Sequence, residues 1–230
     1  MTENLAARLG SAAPRGTTAP GLFVCFEGGD GAGKSTQVRL LTELLEELGR
    51  EVVVTRQPGG TPLGAQIRQL VLHGDHVAAR AEALLFAADK AQHVDQLIAP
   101  ALARGAVVIT DRYTDSSIAY QGAGRDLGAD EIRVLQHWAV GEVLPDLTIV
   151  LDVSPELGRA RRGDVQDRLE SEADVFHDAV RQGFLALAAQ DPGRYLVVDA
   201  ALTVDEIRAL VVEAVTRIDG AASTTAQGAR

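Results

Sequence analysis

Gly28-Gly29-Asp30-Gly31-Ala32-Gly33-Lys34-Ser35 fits the pattern G-x-x-x-x-G-K-[ST]. Glycines in such a loop let successive backbone N–H groups turn inward around phosphate oxygens. Both flanks have the matching character. Leu22-Phe23-Val24-Cys25-Phe26 is a short apolar run that reads as a buried strand and leads into Glu27. After Thr36, leucines recur at helical spacing (Leu40, Leu41, Leu44, Leu45, Leu48), and Gly49 closes the run as a C-cap. The helix start adds a favourable partial charge for an anion. Lys34 supplies a mobile cation for β- and γ-phosphates, and Ser35 offers a hydroxyl to Mg²⁺. Gly28 to Thr36 is therefore expected to cradle a nucleoside triphosphate, ATP, through Gly28, Gly29, Asp30, Gly31, Ala32, Gly33, Lys34, Ser35 and Thr36.

Outward from this loop the chain alternates strand and helix signals. Further strands are expected at Glu51–Thr55, Ala106–Thr110, Leu147–Val153 and Tyr195–Asp199. Each is rich in β-branched residues and continuous rather than alternating, as in strands covered on both faces. Helices are expected at about Leu63–Leu72, Arg80–Arg104, Asp115–Tyr120, Asp130–Val143, Pro155–Arg162, Glu172–Ala189 and Val204–Ile218. The pattern predicts an α/β fold with a parallel sheet and helices on both faces. Ligands then gather at the carboxyl ends of the strands. Residues 1–20 read as a disordered N-terminal extension, 21–218 as one domain, and 219–230 as a disordered tail.

Composition excludes several classes. The formal net charge of -10 argues against a nucleic-acid-binding surface. A site for anions in such a chain must gather its positive charge locally. No apolar run is long enough to span a bilayer. The single cysteine, Cys25, falls in a predicted core strand and suits a reducing cytoplasm. The five histidines show no metal-ligand spacing and read as surface or packing residues, and Trp138 reads as a helix-packing residue.

The strand ends carry the chemistry. The second strand runs into Arg56-Gln57-Pro58-Gly59-Gly60-Thr61, and the third ends in Asp111-Arg112-Tyr113. An arginine just past a buried strand is a natural phosphate clamp, because its planar fork binds oxyanions bidentately. The pair Arg56 and Arg112 implies a second anionic ligand beside ATP. Asp111 is placed as a Mg²⁺-associated acid, together with Ser35. Asp152 is read as structural, and Asp30 as facing the second substrate. The basic run containing Arg159, Arg161, Arg162 and Arg168 fits two readings: a solvated helix end, or a lid (about residues 159–168) that brings arginines to the transferring phosphate.

Four segments resemble the bacterial thymidylate kinase family of nucleoside-monophosphate kinases. They are Phe26 to Thr36, Arg56 to Thr61, Leu85 to His93, and Asp111 to Gly122. The resemblance runs from about Leu22 to Val215. It implies a P-loop fold with a five-stranded parallel sheet, a small basic lid, and transfer of the γ-phosphate of ATP to dTMP. By position it implies that Asp30 approaches the sugar of dTMP, and that Arg112 and Arg56 hold its phosphate. It implies that Phe86 stacks on thymine, Tyr120 closes over the nucleoside, and Ser117 and Gln121 line the pocket. Pro58, Lys90 and Asp111 are grouped with this acceptor site. The lid arginines would be Arg159, Arg161 and Arg162, acting with Lys34 and Arg112 in catalysis. A homodimer and a cytoplasmic location are implied as well. Two departures stand out: Gln57 where the family usually has Glu, and Lys90 where many members use Arg to reach the thymine carbonyl.

A phosphate monoester is largely dianionic near neutral pH. Its oxygen needs no general base, and the chain carries no recognisable Ser–His or Cys–His pair. Another nucleoside-monophosphate kinase is the nearest competing reading. A deoxynucleoside kinase would need a base, for which Glu27 is the candidate. A GTPase switch would need an N-K-x-D signature, which the chain lacks.

Overall fold

The computed structural model of the chain describes residues 21–161 and 167–228, the last nine of these by backbone alone. Five strands form one all-parallel sheet: β1 (Leu22–Gly28), β2 (Val52–Arg56), β3 (Val107–Asp111), β4 (Leu147–Asp152) and β5 (Tyr195–Asp199). Their order is β2-β3-β1-β4-β5. The first strand is therefore central, and the chain crosses to one side of it and then to the other. That reversal opens a crevice at the carboxyl end of β1, where the glycine loop begins.

All seven residues of β1 are buried. Alternate side chains feed two cores. Leu22, Val24 and Phe26 pack with Leu41, Leu45, Ile207 and Val211 on one face. Phe23 and Cys25 pack with Val108, Ile98 and Tyr113 on the other. Continuous apolar sequence is the direct result of having helices on both sides. The edge strands differ from expectation, since Val54 on β2 is 49% exposed and Val197 on β5 is 43% exposed. An edge strand has a neighbour on one side only, and its cover is thinner.

The helices are α1 (Lys34–Glu47), α2 (Pro62–His73), α3 (Ala79–His93), α4 (Ala99–Ala103), α5 (Thr114–Ser117), α6 (Ala129–Val140), α7 (Pro155–Arg161), α8 (Asp174–Gln190) and α9 (Val204–Gly228). The expected helix Arg80–Arg104 is helical throughout but not of one kind: a π-helical turn, Val94–Ile98, joins α3 to α4. The change of register falls just before Pro100, which has no N–H to give to the preceding turn. A second π-helical segment, Ile118–Gly124, continues α5. The last helix runs to Gly228 rather than ending at Ile218. Within its extension Asp219 is buried, and both its carboxylate oxygens accept from Arg50 Nη1, at 2.8 and 2.7 Å. Thr203 caps this helix as expected, exchanging bonds with Glu206. Trp138, read as a packing residue, is 83% exposed on α6.

Candidate active site

The strand register sets the frame. Phe26 on β1 lies opposite Asp111 on β3, and Asp111 lies opposite Arg56 on β2. The three strand ends thus bring the phosphate loop, the acid and one arginine to the same edge of the sheet.

The loop itself has the geometry its sequence demands. Gly31 and Gly33 have φ of 80° and 94°, which L side chains rarely adopt. At Gly31 there is a second reason for glycine, because a Cβ would stand 2.4 Å from the carbonyl oxygen of Gly158 on α7. Lys34 is buried, and its Nζ donates to the Gly28 and Gly29 carbonyls at 3.1 and 3.0 Å. Burial and the nearby Arg112 hold its pKa below the usual lysine value, against the pull of Asp111 and Asp30.

Glu27, just before the loop, organises the opposite wall. Its carboxylate accepts from the Tyr113 N–H (2.8 Å), the Ser116 N–H (3.0 Å) and the Ser116 hydroxyl (2.5 Å). Burial pushes the Glu27 pKa up, partly offset by Arg112 and these donors. These three contacts fasten the segment after β3, and the Cys25 thiol on β1 donates to Glu27 Oε1 at 3.7 Å; Glu27 borders neither the cleft nor the pocket along the phosphate loop. Arg112 turns back over the site through a left-handed backbone with φ 69°, a conformation costing a non-glycine residue roughly 1–2 kcal/mol. Its guanidinium donates to Asp30 Oδ1 at 2.5 Å and to Ser116 Oγ at 3.1 Å, and lies 4.9 Å from the Tyr120 ring centre. The Tyr120 hydroxyl donates to Asp30 Oδ2 at 3.2 Å. Burial works against a charged Asp30, yet Arg112 and Lys34 hold its carboxyl well below the usual range.

Asp30, Lys34, Arg112, Ser116 and Tyr120 line a cleft of about 210 Å³ that also includes Arg56, Gln57, Pro58, Phe86, Lys90, Ser117 and Gln121. The acceptor residues expected from sequence are therefore brought together. Phe86 forms one wall and belongs to the adjoining core as well. Lys90 lies fully buried beneath it. Its Nζ donates to Ser117 Oγ at 2.8 Å and to the Phe86 carbonyl at 3.4 Å. Burial lowers its pKa to about 8, with Asp89 pulling the other way. Gln121 donates to the buried Glu82 at 2.8 Å.

One basic residue of this cleft escaped the sequence reading. Arg68, on α2, lines it beside Arg56, donates to the Pro58 carbonyl at 3.0 Å and packs on Gly59. Burial and the neighbouring Arg56 and Arg112 lower its pKa. The available signal was its place on the helix that directly follows Arg56-Gln57-Pro58. Five basic side chains, Lys34, Arg56, Arg68, Lys90 and Arg112, meet in a chain of net charge -10. His93, read as a surface or packing residue, is buried behind the cleft. It bridges Gln57 Nε2 (2.8 Å) and Thr55 Oγ1 (2.7 Å), and burial lowers its pKa to about 4.

A second pocket runs along the phosphate loop, bordered by Gly31 to Gln37, Asp111, Arg161 and the Ala200–Val204 region. Arg161 donates to the Ala200 carbonyl at 2.9 Å. Arg159 borders neither pocket; it pairs with the exposed Asp174 on α8. Arg162 and the centre of the expected lid lie outside the described residues. Arg168, at its far end, is anchored to the buried Glu82 and to the Val71 carbonyl. Asp152 binds Arg181 through both oxygens and is structural, as expected. Asp111 Oδ1 is buried without a hydrogen-bond partner among the described residues. It shares a groove with the exposed hydroxyl of Ser35. No cluster of three or more His, Cys, Asp or Glu suited to a metal occurs among the described residues. A hydroxyl and one carboxylate beside a phosphate site fit Mg²⁺, which keeps several waters and is completed by substrate phosphates.

A parallel sheet ordered 2-3-1-4-5, a glycine loop after its central strand, and an arginine-lined second cleft define a P-loop phosphotransferase with two anionic ligands. The family model for thymidylate kinase matches residues 26–211. A thymidylate kinase of Clavibacter michiganensis subsp. michiganensis is 57% identical over 195 residues, covering 83% of this chain and 92% of the relative. One from Bifidobacterium longum is 55% identical over 196 residues, covering 83% and 95%. One from Cutibacterium acnes is 51% identical over 198 residues, covering 85% and 97%. The chain belongs to the thymidylate kinase family, phosphotransferases that act on dTMP with ATP as donor.

Proposed function

We propose that this chain transfers the γ-phosphate of ATP to dTMP, giving dTDP and ADP, and that the residues above divide the work as follows. The observation that carries the assignment is that Lys34 and Asp111 border both pockets. Two anions bound on either side of them meet there, end to end. ATP occupies the loop from Gly28 to Thr36. Ser35 and Asp111 would hold Mg²⁺, which would supply charge neutralisation at the phosphates. dTMP occupies the arginine-lined cleft with its phosphate on Arg112 and Arg56, its sugar near Asp30 and Tyr120, and its base on Phe86 beside Ser117 and Gln121. Lys90 has used two of its three N–H donors within the protein, and the third is free for the pyrimidine O4. Pro58 shapes the cleft and presents its carbonyl to Arg68.

The acceptor oxygen is already ionised, so catalysis is alignment and charge neutralisation. Glu27 holds the segment after β3 and does not line the acceptor cleft, which argues against a neutral hydroxyl acceptor. Arg161 supplies charge on the donor side, while Arg159, paired with Asp174, is the weaker candidate of the basic run. The chain works in the cytoplasm; no helix among the described residues is long and apolar enough to cross a membrane. A homodimer is favoured by exposed Leu70, Leu84, Val134 and Trp138 on α2, α3 and α6, where α3 packs against both of the others. Sedimentation of Trp138→Glu tests it: a monomer is expected, and an unchanged species removes this face from the interface. The activity is tested with ATP and a panel of nucleoside monophosphates. dTMP should be the best acceptor and dUMP weaker, with dCMP and GMP poor. Equal turnover of all four would overturn the assignment of the cleft.

A further inference from the structure

Gln37 sits on the first turn of α1, 2% exposed, and borders the donor pocket. One end of its amide is bound: Nε2 donates to the Val204 carbonyl at 3.0 Å. A carbonyl only accepts, so this contact identifies the nitrogen end of the amide. Oε1 is the other end, buried and without a hydrogen-bond partner among the described residues. An acceptor withdrawn from water and left unpaired destabilises the fold unless a ligand completes it.

The pocket tells which part of a ligand that is. Gly31 to Thr36 line its phosphate end, and Ala200, Leu202, Val204 and Ile207 line the far end. Gln37 joins the two, being next to the loop in sequence and bonded to Val204 in space. Phosphate oxygens are themselves acceptors and cannot pair with Oε1. On ATP only the nucleoside carries N–H or O–H donors: the exocyclic amino group of adenine and the ribose hydroxyls. We propose that Gln37 recognises the phosphoryl donor, with Oε1 accepting a hydrogen bond from the nucleoside of ATP while Nε2 ties the far wall of the pocket to the phosphate-loop helix. This rests on ATP being the donor in the loop.

The test is steady-state kinetics at saturating dTMP on the wild type and Gln37→Met, which keeps length and removes both polar atoms. The donors are ATP, purine riboside 5′-triphosphate (lacking the amino group), 2′-deoxy-ATP and 3′-deoxy-ATP. Loss of one neutral hydrogen bond corresponds to roughly a three- to tenfold rise in KM for ATP, with KM for dTMP, measured separately at saturating ATP, unchanged. The wild type should disfavour at least one analogue by a similar factor, and Gln37→Met should no longer distinguish that analogue from ATP. If the purine riboside loses its handicap, the partner is the amino group; if a deoxy analogue does, it is a ribose hydroxyl. Equal discrimination by wild type and variant overturns the proposal. So does a wild type that treats all three analogues as it treats ATP, a result that needs no folded variant. Failure of the wild type to phosphorylate dTMP with ATP would instead overturn the functional assignment, so the two failures are distinct. Gln37→Leu, run through the same panel, replaces Gln37→Met should the latter not fold.

Discussion

Replacing Arg112 with alanine removes a partner for Asp30 and, on the proposed assignment, a clamp for the acceptor phosphate, and a second substitution separates the two. The Arg112 and Asp30 side chains are 17% and 20% exposed and joined at 2.5 Å. Removing one partner of a fully buried pair costs about 3–5 kcal/mol; partial exposure to solvent reduces this to about 2 kcal/mol. For a domain of this size, that lowers Tm by about 4–8 °C. The lost charge-assisted contact to the phosphate is worth roughly 1.5–3 kcal/mol, a ten- to hundredfold weakening of dTMP binding, with ATP binding little changed. In Asp30→Ala/Arg112→Ala no carboxylate is left stranded. Most of the lost Tm should return, while dTMP affinity should stay low. Thermal unfolding and calorimetry with dTMP measure the two effects on the same samples. An Arg112→Ala variant that unfolds early yet binds dTMP as the wild type does would make Arg112 a structural ion-pair partner and refute the clamp.

Four further outcomes are expected. Lys34→Ala should lower kcat by orders of magnitude with the fold retained, because its Nζ touches only loop carbonyls; near-normal turnover would end the donor-loop assignment. Lys90→Met should lose discrimination against dCMP while Lys90→Arg keeps it, as read from competition between dTMP, dUMP and dCMP; unchanged ratios would remove Lys90 from the base site. Arg161→Ala should lower kcat more than it raises either KM, and a normal kcat would reduce Arg161 to its contact with the Ala200 carbonyl. Acid sensitivity should follow His93, whose folded pKa is about 4 against roughly 6.5 unfolded. The unfolded chain then binds the extra proton between those values, so stability falls as pH drops from about 6.5 to 4, by about 2–3 kcal/mol in all. Denaturant titrations of His93→Gln across that window should show a shallower decline; the same slope as wild type would place the titrating group elsewhere.

How much of this was legible in the sequence depended on the range of the interactions. The loop, its flanking strand and α1 are one local unit, and glycines at positive φ announce themselves. The arginines at the ends of β2 and β3 were readable because a strand end has only one place to be in a parallel sheet. Arg68 was not, since its position depends on how α2 packs against Pro58 and Gly59. Nor was the role of His93: nothing nearby in the chain marks its partners Thr55 and Gln57, which lie some forty residues away on the end of β2. Arg159 shows the other limit of range: its charge and place in the basic run are legible locally, but its ion pair with Asp174 on α8 is not. The π-helical turns escaped because periodicity over a few residues cannot distinguish four-residue from five-residue bonding.

The bonds from Glu27 to Tyr113 and Ser116 have a consequence for how selectivity and chemistry can vary. They tie the end of β1, where the phosphate loop begins, to the segment after β3 that carries Arg112, on two adjacent strands about 4.8 Å apart. On the proposed assignment, the distance between donor loop and acceptor clamp then follows the spacing of the sheet, a dimension that side-chain replacements barely alter. The groups proposed to face the base, Phe86, Lys90 and Gln121, are carried instead on α3 and the π-helical segment after α5. Changing them retunes which pyrimidine is admitted and leaves the transfer distance alone. The fold separates a fixed reaction gauge from an exchangeable filter, so altered base preference should be reachable through those helical positions without rebuilding the machinery on the strands.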